Sequence, residues 1–147
     1  FFVDLDRFKE MVENDELLEH ATYVANSYGT PRKFVEDKLN SRLDVLLDIE
    51  VQGAAKVRQR CPDAIFIFII PPSFEELSRR LHRRNTDSEE VIQGRLEKAK
   101  VEFQQVQNYD YLVINDKVAN AVAEIESILV AAECQVKNRK QILTQFS

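Results

Sequence analysis

The chain has 147 residues, of which 44% are hydrophobic and 31% are charged, and its formal net charge is −5. These values predict a single soluble globular domain with a small inserted lobe, and the acidic balance argues against broad nucleic-acid binding. No apolar run approaches the ~20 residues of a membrane span and no signal peptide opens the chain, so we expect no membrane partner. Cys61 and Cys134 lack a metal or redox spacing, which favours a reducing, cytoplasmic location.

The first part of the chain predicts two helices and a small mixed sheet. Asp4 or Asp6 is a suitable cap for the first helix. Residues 17–29 are strand-like but contain few long apolar side chains, which is typical of a half-exposed sheet rather than a central strand. Thr30 is then expected to cap a second helix over residues 32–41.

Residues 43–53 predict a buried strand that runs directly into a helix. The odd-numbered positions from Leu43 to Val51 are apolar and share one face, because the side chains of a strand alternate. Asp48 and Glu50 lie on the other face, roughly 7 Å apart along the strand. Ligands of open α/β sheets bind beyond the carboxyl ends of the strands, so this acidic pair indicates a site. Two solvated acids at a fraying strand end explain the same pattern equally well.

The remaining residues predict helices that alternate with strands apolar on both faces, as in a parallel sheet buried between helices. In chain order the predicted elements are a helix to about Arg60, a strand over 64–70, a helix opened by the Ser73–Glu76 capping box, a helix from about Glu89 to Asn108, a strand over 111–114, and a helix from about Val118 to past Cys134. This order predicts a doubly wound α/β fold with right-handed crossovers.

Two kinds of site are excluded by the residues that are scarce. Glycine occurs only at Gly29, Gly53 and Gly94, so neither a G-x-x-x-x-G-K-[ST] phosphate loop nor a G-x-G-x-x-G turn exists in these residues. His20 and His82 are too few and too far apart in sequence to indicate a metal site.

Five arginines indicate a bound ligand more strongly than the two histidines do. Arg80 and Arg84 lie four residues apart on one predicted helix and share a face, as do Arg79 and Arg83, and Arg95 follows on the next helix. Guanidinium groups bind phosphate bidentately and remain charged, so converging arginines suit a polyanionic substrate. A solvated basic face is the alternative that the sequence leaves open.

Several motifs occur in the order in which guanylate kinases carry them. They are Tyr28-Gly29-Thr30, Leu47 to Ala54, Ile67 to Ser73, Arg80-Leu81 with Arg84, Asp87 to Glu90, Arg95-Leu96, and Tyr109 to Asp116. The match extends over nearly the whole chain, which therefore resembles a bacterial-type guanylate kinase, an enzyme that phosphorylates GMP with ATP. The resemblance implies a three-layer P-loop kinase fold, with a mostly parallel sheet between helices. It divides the chain into a GMP-binding lobe at 1–42, a core at 43–78 and 109–147, and a lid with its following helix at 79–108.

The resemblance also implies roles for individual residues. The residues implied to bind GMP are Glu19, Tyr28, Thr30, Asp48 and Glu50. Those implied to bind ATP are Arg80, Arg84, Asn115 and Asp116, and the implied catalytic set is Arg80, Arg84 and Arg95. The implied cofactor is Mg²⁺ bound with ATP, which Asp48 would contact through a water molecule.

The sequence departs from the family pattern at three places. Asn85 stands where the family usually has glycine and Ser27 where it often has tyrosine, which affects the expected lid flexibility and GMP affinity. The chain starts at Phe1, where the N-terminal portion of the family ends, so the central P-loop strand is missing. We therefore expect this fragment alone to transfer no phosphate.

Two other function classes are compatible with the resemblance. One is a guanylate kinase-like interaction module without catalysis, and the other is a different nucleoside-monophosphate kinase. The lid arginines and the acidic pair favour the enzyme over the module, because a binding scaffold has no use for a lid. Glu19 and the mixed, strand-like lobe argue against the other kinases. The sequence predicts no particular oligomeric state.

Overall fold

The computed structural model describes residues 2–23, 26–84 and 87–146, and only the backbone of residues 22, 23 and 26. The chain divides into two compact units, Phe1–Ile65 and Phe66–Ser147. In the described residues, each unit combines helices with a two-stranded sheet. This confirms the predicted α/β class, but the described strands form two separate pairs rather than one larger sheet.

The first unit is built from helices and an antiparallel hairpin. In chain order its elements are α1 (Leu5–Glu13), β1 (Leu17–Tyr23), β2 (Asn26–Pro31), α2 (Arg32–Asn40) and α3 (Val51–Arg60). The predicted cap of α1 is confirmed at Asp4, whose carboxylate accepts a hydrogen bond from the backbone N–H of Arg7 at 2.8 Å. The pairing of β1 with β2 confirms the predicted small sheet, although its first residues, Leu17 and Leu18, are buried.

Thr30 does not cap α2, so this prediction is wrong. The side chain of Thr30 donates a hydrogen bond to Oε1 of Glu19 at 2.7 Å, and the start of α2 has no side-chain cap. Thr30 belongs to β2, where it lies directly opposite Glu19. A buried carboxylate requires a hydrogen-bond donor, whereas water can satisfy the N–H groups at an accessible helix end. The hydroxyl of Thr30 therefore binds the carboxylate of Glu19 and not the backbone at the start of α2.

Residues 43–50 form no regular secondary structure, so the strand predicted there is wrong. A strand needs a neighbouring strand for its backbone N–H and C=O groups. Within the described residues, β1 and β2 pair with each other, as do the two strands of the second unit. From Val45 onward the predicted alternation persists in the burial, since Val45, Leu47 and Ile49 are half-buried whereas Leu46 is 81% exposed. Leu43, which was predicted to share the buried face, is exposed. The hydrophobic pattern identified the inward face but not the hydrogen bonding.

The second unit is organised around two parallel strands, β3 (Ile67–Ile70) and β4 (Tyr111–Ile114). Their parallel pairing confirms the prediction. Val113 is only 1% exposed and Phe68 is buried, but Ile69 is 51% exposed. The prediction that these strands are buried on both faces is therefore wrong, because within this unit only one face of the pair is covered.

The helices of the second unit follow the predicted order. They are α4 (Phe74–Arg84), α5 (Glu89–Phe103), α6 (Val118–Glu133) and α7 (Lys140–Leu143), with short 3₁₀ turns at Val106–Asn108, Val136–Asn138 and Thr144–Phe146. The predicted cap of α4 is confirmed, because the hydroxyl of Ser73 accepts a hydrogen bond from the N–H of Glu76 at 3.1 Å. Among the described helices, none is both long enough and apolar enough to cross a membrane.

Two predicted helix ends in this unit are too late. α6 ends at Glu133, with Cys134 as its cap. α5 ends at Phe103 instead of near Asn108, and the chain continues through a 3₁₀ turn at Val106–Asn108 to residues that pack on β3 and the segment before it. The ring centroids of Tyr109 and Phe68 lie 4.8 Å apart. The carboxylate of Asp110 accepts a hydrogen bond from the N–H of Phe66 at 2.8 Å.

Candidate active site

The predicted GMP-binding residues of the lobe share one face of the hairpin. Glu19 on β1 is only 6% exposed and lies opposite Thr30 on β2, which donates the 2.7 Å hydrogen bond to Oε1. Side chains alternate along a strand, so Tyr28 lies on the same face of β2 as Thr30. Tyr28 is 60% exposed. The hairpin thus combines a buried carboxylate with an accessible phenol.

The second oxygen of the Glu19 carboxylate faces the first turn of α3. A Cβ atom at position 53 would lie 2.7 Å from Oε2 of Glu19, so this oxygen lies directly beside the backbone of Gly53. An ionised carboxylate has about four lone-pair sites for hydrogen bonds. Since Thr30 occupies one of them, Glu19 retains acceptor capacity for a ligand.

Asp48 and Glu50 belong to the same unit and precede α3 directly. Both are exposed, and the carbonyl oxygen of Glu50 accepts the hydrogen bond from the N–H of Ala54 at 2.9 Å that begins the helix. The structure therefore places the acidic pair at the start of α3 and not at the end of a paired strand. In the part of the chain that is described, no three or more His, Cys, Asp or Glu side chains form a group suited to a metal ion.

In the second unit, the structure brings Arg80 together with Asn115 and Asp116. The guanidinium of Arg80 donates from Nη1 to the carbonyl oxygen of Asn115 at 2.8 Å and from Nη2 to that of Asp116 at 3.1 Å. Its Nε donates to Oε1 of Glu76 at 2.6 Å. These three contacts fix the arginine of α4 beside the loop after β4.

Glu76 was predicted only as part of the capping box of α4, and its pairing with arginines was not predicted. Arg79 also donates two hydrogen bonds to it, at 2.7 and 2.8 Å. The hydrogen bonds from Arg79 and then from Arg80 lower the pKa of Glu76 to about 2, so the carboxylate is ionised at neutral pH. The spacing of four residues between Glu76 and Arg80 on one helix is the signal that predicts such a pair.

The carboxylate of Asp116 closes the turn into α6. It accepts hydrogen bonds from the backbone N–H of Lys117 and, at 3.1 Å, from the side-chain amide of Asn120. These bonds, that of Lys117 first, lower the pKa of Asp116. The loop therefore presents the backbone carbonyls of Asn115 and Asp116 to Arg80, while the carboxylate holds the loop in shape.

The other two arginines of the predicted catalytic set differ in their surroundings. Arg84 is exposed at the end of α4, and Arg95 on α5 is half-buried with its Nη2 3.3 Å from Oδ2 of Asp87. The Nε of Arg95 is buried and has no hydrogen-bond partner among the described residues. The Nε of Arg32 in the first unit is buried in the same way, so this feature by itself does not distinguish Arg95 as a ligand-binding residue. Asn85, the departure predicted to affect the lid, lies outside the described residues.

Comparison with known protein families gives a match to the family described as guanylate kinase over residues 1–132. The chain belongs to the guanylate kinase family. The guanylate kinase of Desulfitobacterium hafniense (strain Y51) is 47% identical over 142 residues, which are 97% of this chain and 71% of the relative. The guanylate kinase of Latilactobacillus sakei is 47% identical over 136 residues, 92% of this chain and 67% of the relative.

A solved structure supports the same conclusion. The crystal structure of guanylate kinase from Anaplasma phagocytophilum is 33% identical to this chain, has a TM-score of 0.79, and is matched over 99% of this chain and 73% of that one. This likeness gives the chain the α/β fold of P-loop kinases. The relatives confirm the predicted function, that of an ATP-dependent nucleoside-monophosphate kinase acting as guanylate kinase.

The two histidines of the chain, His20 and His82, lie in opposite electrostatic environments. In His82, Nδ1 lies 2.7 Å from the carbonyl oxygen of Ser78 and Nε2 lies 3.1 Å from Oε2 of Glu89. The Ser78 carbonyl, followed by Glu89, raises the pKa of His82 above its ordinary value. Burial, followed by the charge of Lys56, lowers the pKa of His20.

We expect an NMR pH titration of the two imidazole rings to give one midpoint above and one below about pH 6.5. His82→Gln should remove the higher one, and Lys56→Met should raise the lower one, because it removes the positive charge beside His20. The stabilisation from protonated His82 is fully present below the unfolded-state pKa and is lost as pH rises through the folded-state pKa. Equal midpoints, or the reverse order, would contradict the two assigned environments.

Proposed function

We propose that the first unit binds GMP, that the second unit binds ATP, and that the enzyme transfers the γ-phosphoryl group of ATP to GMP to give ADP and GDP. The observation that carries the GMP assignment is the buried Glu19 carboxylate, which is bound by Thr30 and retains acceptor capacity. Guanine presents N1–H and an exocyclic NH₂ as adjacent donors, and a carboxylate accepts both. Adenine presents an acceptor at N1, which a carboxylate repels.

For GMP, which accepts the phosphoryl group, we assign a separate role to each of the remaining residues. Thr30 holds the Glu19 carboxylate through its hydroxyl. The exposed phenol of Tyr28 supplies a hydrogen-bond donor for the phosphate of GMP. Asp48 and Glu50 are exposed at the start of α3, and we assign them contacts with the GMP bound to the same unit.

On the donor side, we assign the positive charge to the lid arginines. Arg80 is fixed by Glu76 and by the carbonyls of Asn115 and Asp116, which supports a position beside the adenine loop. Arg84 and Arg95 provide guanidinium donors for the transferred phosphoryl group. Phosphoryl transfer requires mainly positioning and compensation of charge, which these side chains are suited to supply.

We further propose Mg²⁺ bound with ATP as the cofactor. Mg²⁺ takes oxygen ligands, keeps several waters and commonly uses one or two carboxylates together with substrate phosphates. The exposed carboxylate of Asp48 fits this requirement through a water molecule. When bound, the ion neutralises charge that develops on the β- and γ-phosphate oxygens.

We also propose a cytoplasmic location, with GMP and ATP as the small-molecule partners. Cys61 and Cys134 are both free thiols in the structure. Free thiols suit a reducing compartment, in which disulfides are rare.

The test uses a completed enzyme, which we define as residues 1–147 joined to the N-terminal portion of the D. hafniense relative. A coupled assay with ATP should show GMP-dependent formation of ADP. The kcat/KM for GMP should exceed that for AMP by about 100-fold or more, because the Glu19 carboxylate cannot be satisfied by adenine. Comparable values for the two acceptors would contradict the proposed role of the lobe.

A further inference from the structure

We propose that Gly53 is a positioning residue for Glu19. Because Gly53 has no side chain, the carboxylate of Glu19 can lie directly against the first turn of α3. Gly53 thereby determines where the carboxylate lies and contributes to the selection of guanine. The inference rests on the proposed function, in which Glu19 binds the base. It concerns the helix that faces the carboxylate, whereas Thr30 approaches the carboxylate from the neighbouring strand.

The distances show that no other residue fits at position 53 without a movement. A Cβ atom there would lie 2.7 Å from Oε2 and 3.2 Å from Cδ of Glu19. Both values are shorter than an ordinary carbon contact of about 3.5–4.0 Å. The atoms in conflict form the end of a flexible side chain, so the carboxylate is the part that moves.

The strand that carries Glu19 is not free to retreat from α3. Nζ of Lys56 donates a hydrogen bond to the carbonyl oxygen of His20 at 2.6 Å, and Nη1 of Arg60 donates one to that of Leu17 at 2.6 Å. These two carbonyls lie on either side of Glu19 in the sequence. Hydrogen bonds from ionised donors are stronger than neutral ones. A methyl group at position 53 is therefore accommodated by displacement of the carboxylate within an intact lobe.

The end of α3 strengthens the same attachment. Nη2 of Arg60 donates to the carboxylate of Asp15 at 2.6 Å, and Arg32 of α2 donates to the same carboxylate. These hydrogen bonds, with that of Arg32 first, lower the pKa of Asp15. Asp15 thus joins α2 and α3 just before β1 begins.

The three glycines of the chain differ in what a methyl group would meet. At Gly53 it meets the carboxylate of Glu19, as described. At Gly29 it would lie 2.8 Å from Cδ1 of Leu17 and 3.0 Å from the backbone oxygen of Glu19, so the hairpin itself would be disturbed. At Gly94, on α5, nothing lies within 4 Å. Gly94 is therefore the matched control for a glycine-to-alanine change in a helix.

The experiment compares Gly53→Ala and Gly94→Ala in the completed enzyme. Gly53→Ala should raise the KM for GMP by about tenfold or more, the loss expected for a hydrogen bond to a charged group. The KM for ATP, the kcat at saturating GMP and the thermal midpoint should change little, because the fold is kept. Gly94→Ala should leave both KM values and the kcat near their original values and raise the thermal midpoint slightly, because alanine is a better helix former than glycine.

A double-mutant cycle with Glu19→Asp tests the coupling. The shorter side chain withdraws the carboxylate by about 1.5 Å, so in this background Gly53→Ala should change the KM for GMP by less than about twofold. If Glu19→Asp raises the KM but Gly53→Ala does not, the positioning role is overturned and the proposed function stands. If neither changes it, the role of Glu19 in GMP binding is overturned as well. Equal losses of kcat and thermal midpoint in both backgrounds would show a merely structural role and overturn the inference.

Discussion

Replacing Arg95 by alanine is expected to lower the kcat of the completed enzyme by about 10³-fold, while the KM for each nucleotide changes far less. The reason is that a guanidinium acting on the moving phosphoryl group makes its strongest contact in the transition state. The half-buried side chain of Arg95, whose Nη2 lies 3.3 Å from Oδ2 of Asp87, supports this role, because a side chain that is already held in place is preorganised for the transferred group. Arg84→Ala is expected to give a loss of the same order. Steady-state kinetics with both nucleotides varied measures these effects.

The control for this prediction is Arg83→Ala on the same helix as Arg84. Arg83 is exposed and lies on a different side of α4, so its replacement should leave kcat nearly unchanged. Arg79, which shares a face with Arg83, is not an equivalent control, because it donates two hydrogen bonds to Glu76, to which Arg80 also donates. Equal losses for Arg83, Arg84 and Arg95 would indicate a general basic patch and contradict the lid assignment.

Replacing Glu19 by glutamine is expected to weaken GMP binding by about 1.5–3 kcal/mol, the range for a hydrogen bond to a charged group. Glutamine keeps the size of the side chain and an oxygen for the hydroxyl of Thr30. Its NH₂ group, however, faces a donor of guanine where an acceptor is needed. The KM for GMP should therefore rise by about 10- to 150-fold, and discrimination against AMP should fall.

Steady-state kinetics on the Glu19→Gln enzyme, with GMP and AMP as acceptors, checks this result. Glu13→Gln is the matched control, because Glu13 is an exposed residue at the end of α1. An unchanged KM for GMP in the Glu19 variant would remove this residue from the site. A similar rise in the Glu13 variant would show that the effect comes from net charge rather than from base recognition.

Much of the local structure was predictable because its causes lie within a few residues of one another. Asp4 caps α1 and Ser73 caps α4 through hydrogen bonds to N–H groups three residues away. The pairing of Glu76 with Arg80, although overlooked, was equally predictable from their spacing of four residues on one helix. Thr30 shows the limit of such reasoning, because its hydroxyl had two possible partners and the more distant Glu19 was the one it met.

The sequence by itself determined the α/β class, the order of the helices, the parallel pairing of β3 with β4, and the alternating burial of residues 45–50. These features follow from hydrophobic periodicity and short-range hydrogen bonds. Only the tertiary structure decided that residues 43–50 lack a paired strand, that Arg80 binds the carbonyls of Asn115 and Asp116, and that Glu19 lies against Gly53. The physical reason is that each of these depends on which backbone or side-chain atoms from a distant part of the chain arrive at the same place. A one-dimensional pattern shows which residues turn inward, but not which partners they meet there.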